Sequence, residues 1–381
     1  MTVPPAPDTE VMVDELGRLV EHESPTGDVV RLDALADVLV AQWEDVGATA
    51  VRHTVDEVGS HLELRWAGPP GTPSDVAPVL LVGHYDTVHD VGTLERNPWR
   101  VDDDGRAWGP GTQDMKSGLV IARHALAQLM AAGVPVARPV VALLTADEEV
   151  GSVSSRALIE GHARASAFAL VFEASTASGA LKTQRKGVGL WTLTVHGRAA
   201  HAGQRFFDGC NANVALADVL PEVAGLSDRA RGTTVNVGVL RGGTRANVVA
   251  ARADAVLDVR FTEPDESDRV AAALTELDVA EPARLEVSGG VNRPAMQRTP
   301  ETVQLYERAR ACARELGFDL EEATAGGASD GNFTSAVGTP TLDGLGGVGD
   351  GLHTDEEYVY VTSLPQRAAL LAALLSGYDA T

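Results

Sequence analysis

Only two cysteines, Cys210 and Cys312, occur in 381 residues, and they lie far apart in the chain. A disulfide framework is therefore not expected, and a reducing cytoplasm fits the composition. Positive charge is also scarce: 31 Lys and Arg stand against 54 Asp and Glu, for a formal net charge of −23. That balance disfavours nucleic acid and anionic membranes as partners and reads as a general solubility adaptation. No apolar run is long enough to span a bilayer. The opening Met-Thr-Val-Pro-Pro-Ala-Pro-Asp has neither a basic start nor an apolar segment, so no signal peptide or transmembrane span is expected. Two catalytic signatures are missing as well. There is no H-E-x-x-H and no G-x-S-x-G nucleophile elbow, which removes support from those hydrolase classes. No short repeat or low-complexity segment is present.

What the chain does have is 44% hydrophobic residues, enough for about two domains of ~100–200 residues each. Apolar residues recur at helical spacing over 9–23 (Val11, Leu16, Leu19, Val20) and 29–43 (Leu32, Leu35, Val38, Leu39). Short continuous apolar runs at 78–82, 140–144 and 167–172 have the character of strands buried on both faces. A helix is expected over 117–131, ending at Gly133 and Pro135. This alternation predicts an α/β layer with a mostly parallel sheet and helices on both faces, whose binding residues belong at the carboxyl ends of strands.

From about Gly187 the pattern changes. Strand, helix, strand, strand, helix and strand are expected at 190–195, 212–223, 233–240, 248–261, 268–277 and 284–287, with a turn at Gly242 and Gly243. That order, βαββαβ, is the split pattern of a ferredoxin-like sandwich. After Arg293 the α/β pattern resumes with helices over 302–316 and 363–375. The expected domains are a discontinuous 1–186 plus 292–381 and an inserted 187–291.

The residues able to do chemistry sit where the expected buried strands end. His84 and Asp86, two apart after the run ending at Val82, face the same way on an extended backbone, so the carboxylate can orient the imidazole. Asp114 lies in Gly109-Pro-Gly111-Thr-Gln-Asp114-Met-Lys116-Ser-Gly118. It is either a helix N-cap or a carboxylate that bridges two cations in a loop whose glycines admit close backbone approach. Asp147, Glu148 and Glu149 are consecutive acids that repel one another unless solvated or neutralised by metal. Glu173 closes another strand, and His353 follows a glycine-rich run. That run, Gly344 to Gly349, matches G-x-G-x-x-G, but a polar stretch rather than a βα turn follows it, so no dinucleotide fold is implied. Imidazole and carboxylate in this combination are the ligand chemistry of a two-metal hydrolase. A lone strand-end histidine such as His201 is, from its residues alone, an ordinary turn residue.

Taken together, His84-Tyr-Asp86-Thr-Val, Gly111-Thr-Gln-Asp114-Met-Lys, Asp147-Glu148-Glu149-Val-Gly-Ser, Glu173, Ala200-His201-Ala-Gly and Leu352-His353-Thr resemble the zinc-dependent carboxypeptidase and deacylase family. That family includes glutamate carboxypeptidase, acetylornithine deacetylase, succinyl-diaminopimelate desuccinylase and the aminoacylases. The six motifs cover nearly the whole chain in order, and glutamate carboxypeptidase is the most similar in kind. The resemblance implies two zinc ions per chain, with cobalt or manganese as substitutes. Asp114 would bridge them, His84 and Glu173 would complete one, and Glu149 and His353 the other. It further implies Glu148 as general base, Asp86 as the partner of His84, and a cis peptide between Asp114 and Met115.

The inserted module would be a lid and dimerisation domain whose His201 reaches the partner subunit to stabilise an oxyanion. Arg293 and Asn247 would hold a substrate carboxylate, a task that suits arginine through bidentate pairing. In the family this chain resembles, the position of Glu173 tends to be Glu in carboxypeptidases and deacylases and Asp in aminopeptidases, so the resemblance implies substrates with a free α-carboxylate. One departure is that a lysine of the glutamate carboxypeptidase pocket has no clear match around Ala180 to Thr183, where Lys182 or Arg185 would have to stand in. The expected activity is hydrolysis of the amide of N-acyl or N-aminoacyl amino acids by a homodimer. An N-acyl amino acid deacylase is the alternative, and a non-catalytic dimer that binds metal or amino acids a minor one.

Overall fold

The computed structural model describes residues 5–377; Met1–Pro4 of the N-terminal stretch discussed above lie outside them. The described residues divide into two compact units, one formed by 5–184, 298–324 and 329–377 and the other by 185–297 and 325–328. The short 325–328 segment joins the second unit because Lys186 N–H donates to Ala325 O and the Arg185 guanidinium donates to Gly327 O.

The first unit is built on a six-stranded sheet. Strands β1 (Thr49–Val55), β2 (Gly59–Trp66), β3 (Val79–His84), β4 (Val140–Thr145) and β5 (Phe168–Val171) are joined by the edge strand Thr341–Leu342. The order is β1-β2-β4-β3-β5-edge. The sheet is mixed. The pairs β4–β3, β3–β5 and β5–edge are parallel, while β1–β2 and β2–β4 are antiparallel. The antiparallel part is the β1–β2 hairpin, which the sequence patterns left unassigned.

Both faces are covered. Leu80, Val82, Leu143, Ala169 and Val171 point to one side, against Ile159 and Ala163 of α4 (Arg156–Ala165) and Phe333. Leu81, Ala142, Leu144 and Leu170 point to the other, against α1 (Thr9–Glu21), α2 (Val29–Glu44), α3 (Ser117–Ala131) and the helix Ser363–Ser376. Burying each such Leu or Val is worth ~1.5–3 kcal/mol. The ends of β3, β4 and β5 are therefore firmly placed points from which to hang ligands. The first two helices begin with side-chain caps, Asp8 accepting from Glu10 N–H and Asp28 from Arg31 N–H.

In the second unit β6 (Gly187–His196), β7 (Thr234–Gly242), β8 (Arg252–Phe261) and β9 (Arg284–Arg293) form an antiparallel sheet in the order β7-β8-β6-β9. With α5 (Ala212–Gly225) and α6 (Pro264–Glu276), this is the strand order of a ferredoxin-like sandwich. Its core is Leu193, Val195, Leu216, Val223, Leu257, Val259, Val270 and Leu274. The strand expected over 248–261 starts only at Arg252, so Asn247 lies on the connecting loop. Cys210 and Cys312 are both free. Among the described residues, no helix is long and apolar enough to cross a membrane.

Candidate metal centre

β3 delivers His84 to the carboxyl edge of the sheet, buried to 1% exposure. Its Nδ1 lies 3.0 Å from the Asp86 backbone oxygen and 3.4 Å from the Asp86 carboxylate. The backbone carbonyl is thus the nearer acceptor, and it leaves Nε2 facing Asp114, where it could serve as a ligand. The Asp86 carboxylate has a second task. It accepts from Thr26 Oγ1 at 2.8 Å and from the N–H groups of Glu148 and Glu149 at 3.3 Å each, tying the acidic turn to the end of β3.

Asp114 is not an N-cap. It sits in a widened turn, Thr112–Lys116, ahead of α3, and its peptide bond to Met115 is cis. Glycine is required beside it. Gly111 has φ +69°, and a Cβ on Gly118 would run into Phe172 O at the end of β5. The two carboxylate oxygens of Asp114 face two different imidazoles, Oδ1 at 3.0 Å from His84 Nε2 and Oδ2 at 3.2 Å from His353 Nε2. Glu173 Oε1 is 3.6 Å from His84 Nε2, and Glu149 Oε2 is 3.4 Å from His353 Nε2. His353 itself is held at φ +61°, a left-handed conformation that histidine adopts more readily than most residues.

The three consecutive acids separate by role. Asp147 accepts from the hydroxyls and N–H groups of Ser154 and Ser155, which absorbs its carboxylate in the turn. Glu148 approaches the cluster together with His84 and Glu173, these ligand atoms lying within 4.8 Å of one another, and Glu149 does so with His84 and Asp114. Glu149 Oε1 is buried without a hydrogen-bond partner, a costly state for a carboxylate that a cation would relieve. Two imidazoles and several carboxylates clustered in this way fit a pair of divalent cations.

Protonation carries the same signature. Burial disfavours charge on His84, but hydrogen bonds to Asp114 and Asp86 outweigh it and hold its pKa well above the usual value. His353 is raised mainly by its hydrogen bond to Asp114. Burial opposes ionisation of Asp114, yet the two imidazoles hold its carboxyl well below the ordinary range. Burial, then the charge of Asp114, pushes Glu149 up to about 9. The metal-free cluster therefore favours protons on Glu149 and His84, which a bound cation would displace. Loading metal at pH 7 should release protons, and affinity should fall as pH is lowered. Calorimetric titration in buffers of different ionisation enthalpy measures this; binding without proton release would contradict it.

His201, Asn247 and Arg293 belong to the second unit. Two of them meet there, since the His201 and Val248 backbones form a bridge and Ala202 N–H donates to Asn247 O. The His201 Nδ1 accepts from the N–H groups of Gly203 and Gln204, each at 3.1 Å, which places the proton on Nε2 and makes that exposed atom a donor. Arg293 is buried at the end of β9. Lys182 donates from Nζ to Ala174 O, one residue beyond Glu173, and Arg185 to Gly327 O.

Sequence reasoning missed Glu357 and His61. Glu357 is the last residue of the acidic run after His353, and its carboxylate is fully buried. His61, on β2, accepts from Ala146 N–H and lies 2.9 Å from Ser154 Oγ, which supports the acidic turn from behind. Neither has a local signal, because the partners of both come from distant parts of the chain.

Residues 80–377 match the peptidase family M20/M25/M40. The chain is 30% identical over 373 residues to carboxypeptidase G2 of Pseudomonas sp. (strain RS-16), covering 96% of this chain and 88% of that protein. It is 28% identical over 379 residues to succinyl-diaminopimelate desuccinylase of Maricaulis maris (strain MCS10), covering 92% of each. Aminopeptidase PepT from Bacillus cereus ATCC 10987 has a similar fold, with a TM-score of 0.78 and 22% identity over 97% of this chain and 98% of that one.

Proposed function

The chain belongs to peptidase family M20/M25/M40 and is a metal-dependent hydrolase of its carboxypeptidase and deacylase class, and we propose that it cleaves the amide of N-acyl or N-aminoacyl amino acids carrying a free α-carboxylate. The observation that carries the reading is Asp114, whose two oxygens face His84 and His353 in a buried acidic cluster. His84, Asp114 and Glu173 would hold one zinc ion, and Asp114, Glu149 and His353 the other. Bound there, the two cations supply Lewis acidity that activates water and polarises the scissile carbonyl.

The remaining work falls to the chain. Glu148, whose backbone is fixed by Asp86, takes the proton of the attacking water and passes it to the leaving amine. His201, with its proton on Nε2, donates to the oxyanion, and Arg293 and Asn247 hold the substrate carboxylate. We place His201 in the site of a partner subunit, with 187–291 as the lid and dimerisation module. The support is that β7 is an edge strand with Leu240 56% exposed, and that Val214 of α5 in the same unit is also 56% exposed. A desuccinylase-type deacylase shares this machinery and differs only in the acyl group it accepts. We also propose a cytoplasmic location, with which the two free cysteines agree.

The test is a panel of N-acyl amino acids and dipeptides offered to the zinc-loaded protein, each paired with its C-terminal amide. Free acids should be hydrolysed with kcat/KM higher by roughly 10–10²-fold, the scale of a charge-assisted hydrogen bond. Equal hydrolysis of the blocked amides would contradict the carboxylate preference.

A further inference from the structure

Glu357 has no exposed surface, yet it is a carboxylate in a strongly acidic chain. Its Oε1 accepts from Gln113 N–H at 2.7 Å and Asp114 N–H at 2.8 Å. Its Oε2 accepts from Gly111 N–H at 2.9 Å and lies 2.8 Å from His89 Nε2. Its backbone oxygen accepts from Gly109 N–H at 3.3 Å. The loop 109–114 thus points its amides at one side chain, as backbone does around a bound anion. The next residues, Tyr358–Tyr360, pair antiparallel with Arg106–Trp108, the strand that leads into the loop. Four residues before Glu357 is His353. One short segment therefore carries both an imidazole facing Asp114 Oδ2 and the anion that fixes the Asp114 backbone.

We propose that Glu357 is a positioning residue for the metal centre, acting through the 109–114 loop to set Asp114 at a fixed distance from His353, so that two cations are bound as a pair. This rests on the reading of Asp114 and His353 as ligands. Glu357 touches neither cation nor substrate. Its effect is to make the bridging geometry exist before metal arrives, and the neutral Glu357→Gln side chain cannot accept on both edges at once. One edge then presents N–H to N–H, and the loop shifts to relieve it.

The test uses the full chain stripped of metal, titrated with zinc in competition with a chromogenic chelator and, separately, with cobalt(II) read by its visible absorption. Wild-type protein should take up two cations. Glu357→Gln should fold and bind both ~10–100-fold more weakly, the scale of a lost group behind a metal ligand. It should show an altered cobalt spectrum and recover most of its kcat at saturating zinc. Glu357→Asp keeps the charge one methylene short and should weaken binding in the same direction but less. Folded Glu357→Gln with wild-type affinity and spectrum would overturn the inference while leaving the ligand reading intact. A wild-type protein that binds no pair of cations would instead sink the ligand reading itself. If both variants fail to fold, Glu357 is a folding residue and the inference is wrong.

Discussion

Two inactive variants, Glu148→Gln and His201→Ala, should regain activity when their chains are mixed and allowed to exchange. In a homodimer where each site combines Glu148 of one chain with His201 of the other, a mixed dimer holds one doubly defective site and one intact site. At equal proportions half the dimers are mixed, so activity should reach roughly a quarter of wild type from parents that are each nearly dead. The chemistry behind the second defect is visible in the 201–204 turn. There the amides of Gly203 and Gln204 occupy Nδ1 and leave Nε2 as a donor, and removing one oxyanion donor costs on the order of 10²–10³ in kcat. If His201 served its own chain, every site in the mixture would keep one defect and activity would stay at the sum of the parents. Activity of a dilute monomer equal to that of concentrated protein would also exclude the arrangement.

The placement of His84, the acidic turn and Glu173 was legible because each follows a strand whose burial is written locally. The runs before His84, Asp147 and Glu173 are apolar on both faces, and such strands place whatever follows them at the sheet's carboxyl edge. The ferredoxin-like unit was legible for a related reason, since its βαββαβ order leaves few arrangements that avoid crossed connections.

The misses share a cause. In β2 the buried residues include Ser60, His61 and Glu63, polar groups that become tolerable only through tertiary partners, such as Ser154 for His61. The strand therefore lacks an apolar run, and β1 beside it is largely exposed. In α4 only Ile159 and Ala163 are buried, too few to give a helical period. Glu357 closes an acidic run, Asp355-Glu356-Glu357, with no apolar residue to mark it as buried. Its burial is set by amides of a loop far upstream in the chain, and no local pattern shows that.

The acidic turn also shows where reading residue types stops and geometry begins. Asp147, Glu148 and Glu149 are alike as sequence. The turn gives Asp147 to the serines at 154 and 155, leaves Glu149 Oε1 without a partner, and places Glu148 beside His84 and Glu173. That last position defines the other large effect. Glu148→Gln preserves size and the backbone bond to Asp86 but cannot take a proton, so turnover should fall by at least ~10²-fold, the usual scale for loss of a general base. Because Glu148 stands close to the other ligand atoms, its loss is also the sharpest way to separate a base from a metal ligand.

The most direct measurement is therefore metal content by elemental analysis, taken beside kcat, on purified Glu148→Gln and wild-type protein loaded in parallel. The account predicts two divalent cations per chain in both and turnover at or below ~1% of wild type in the variant. A variant that turns over normally, or one that loses its metal together with its activity, would contradict it.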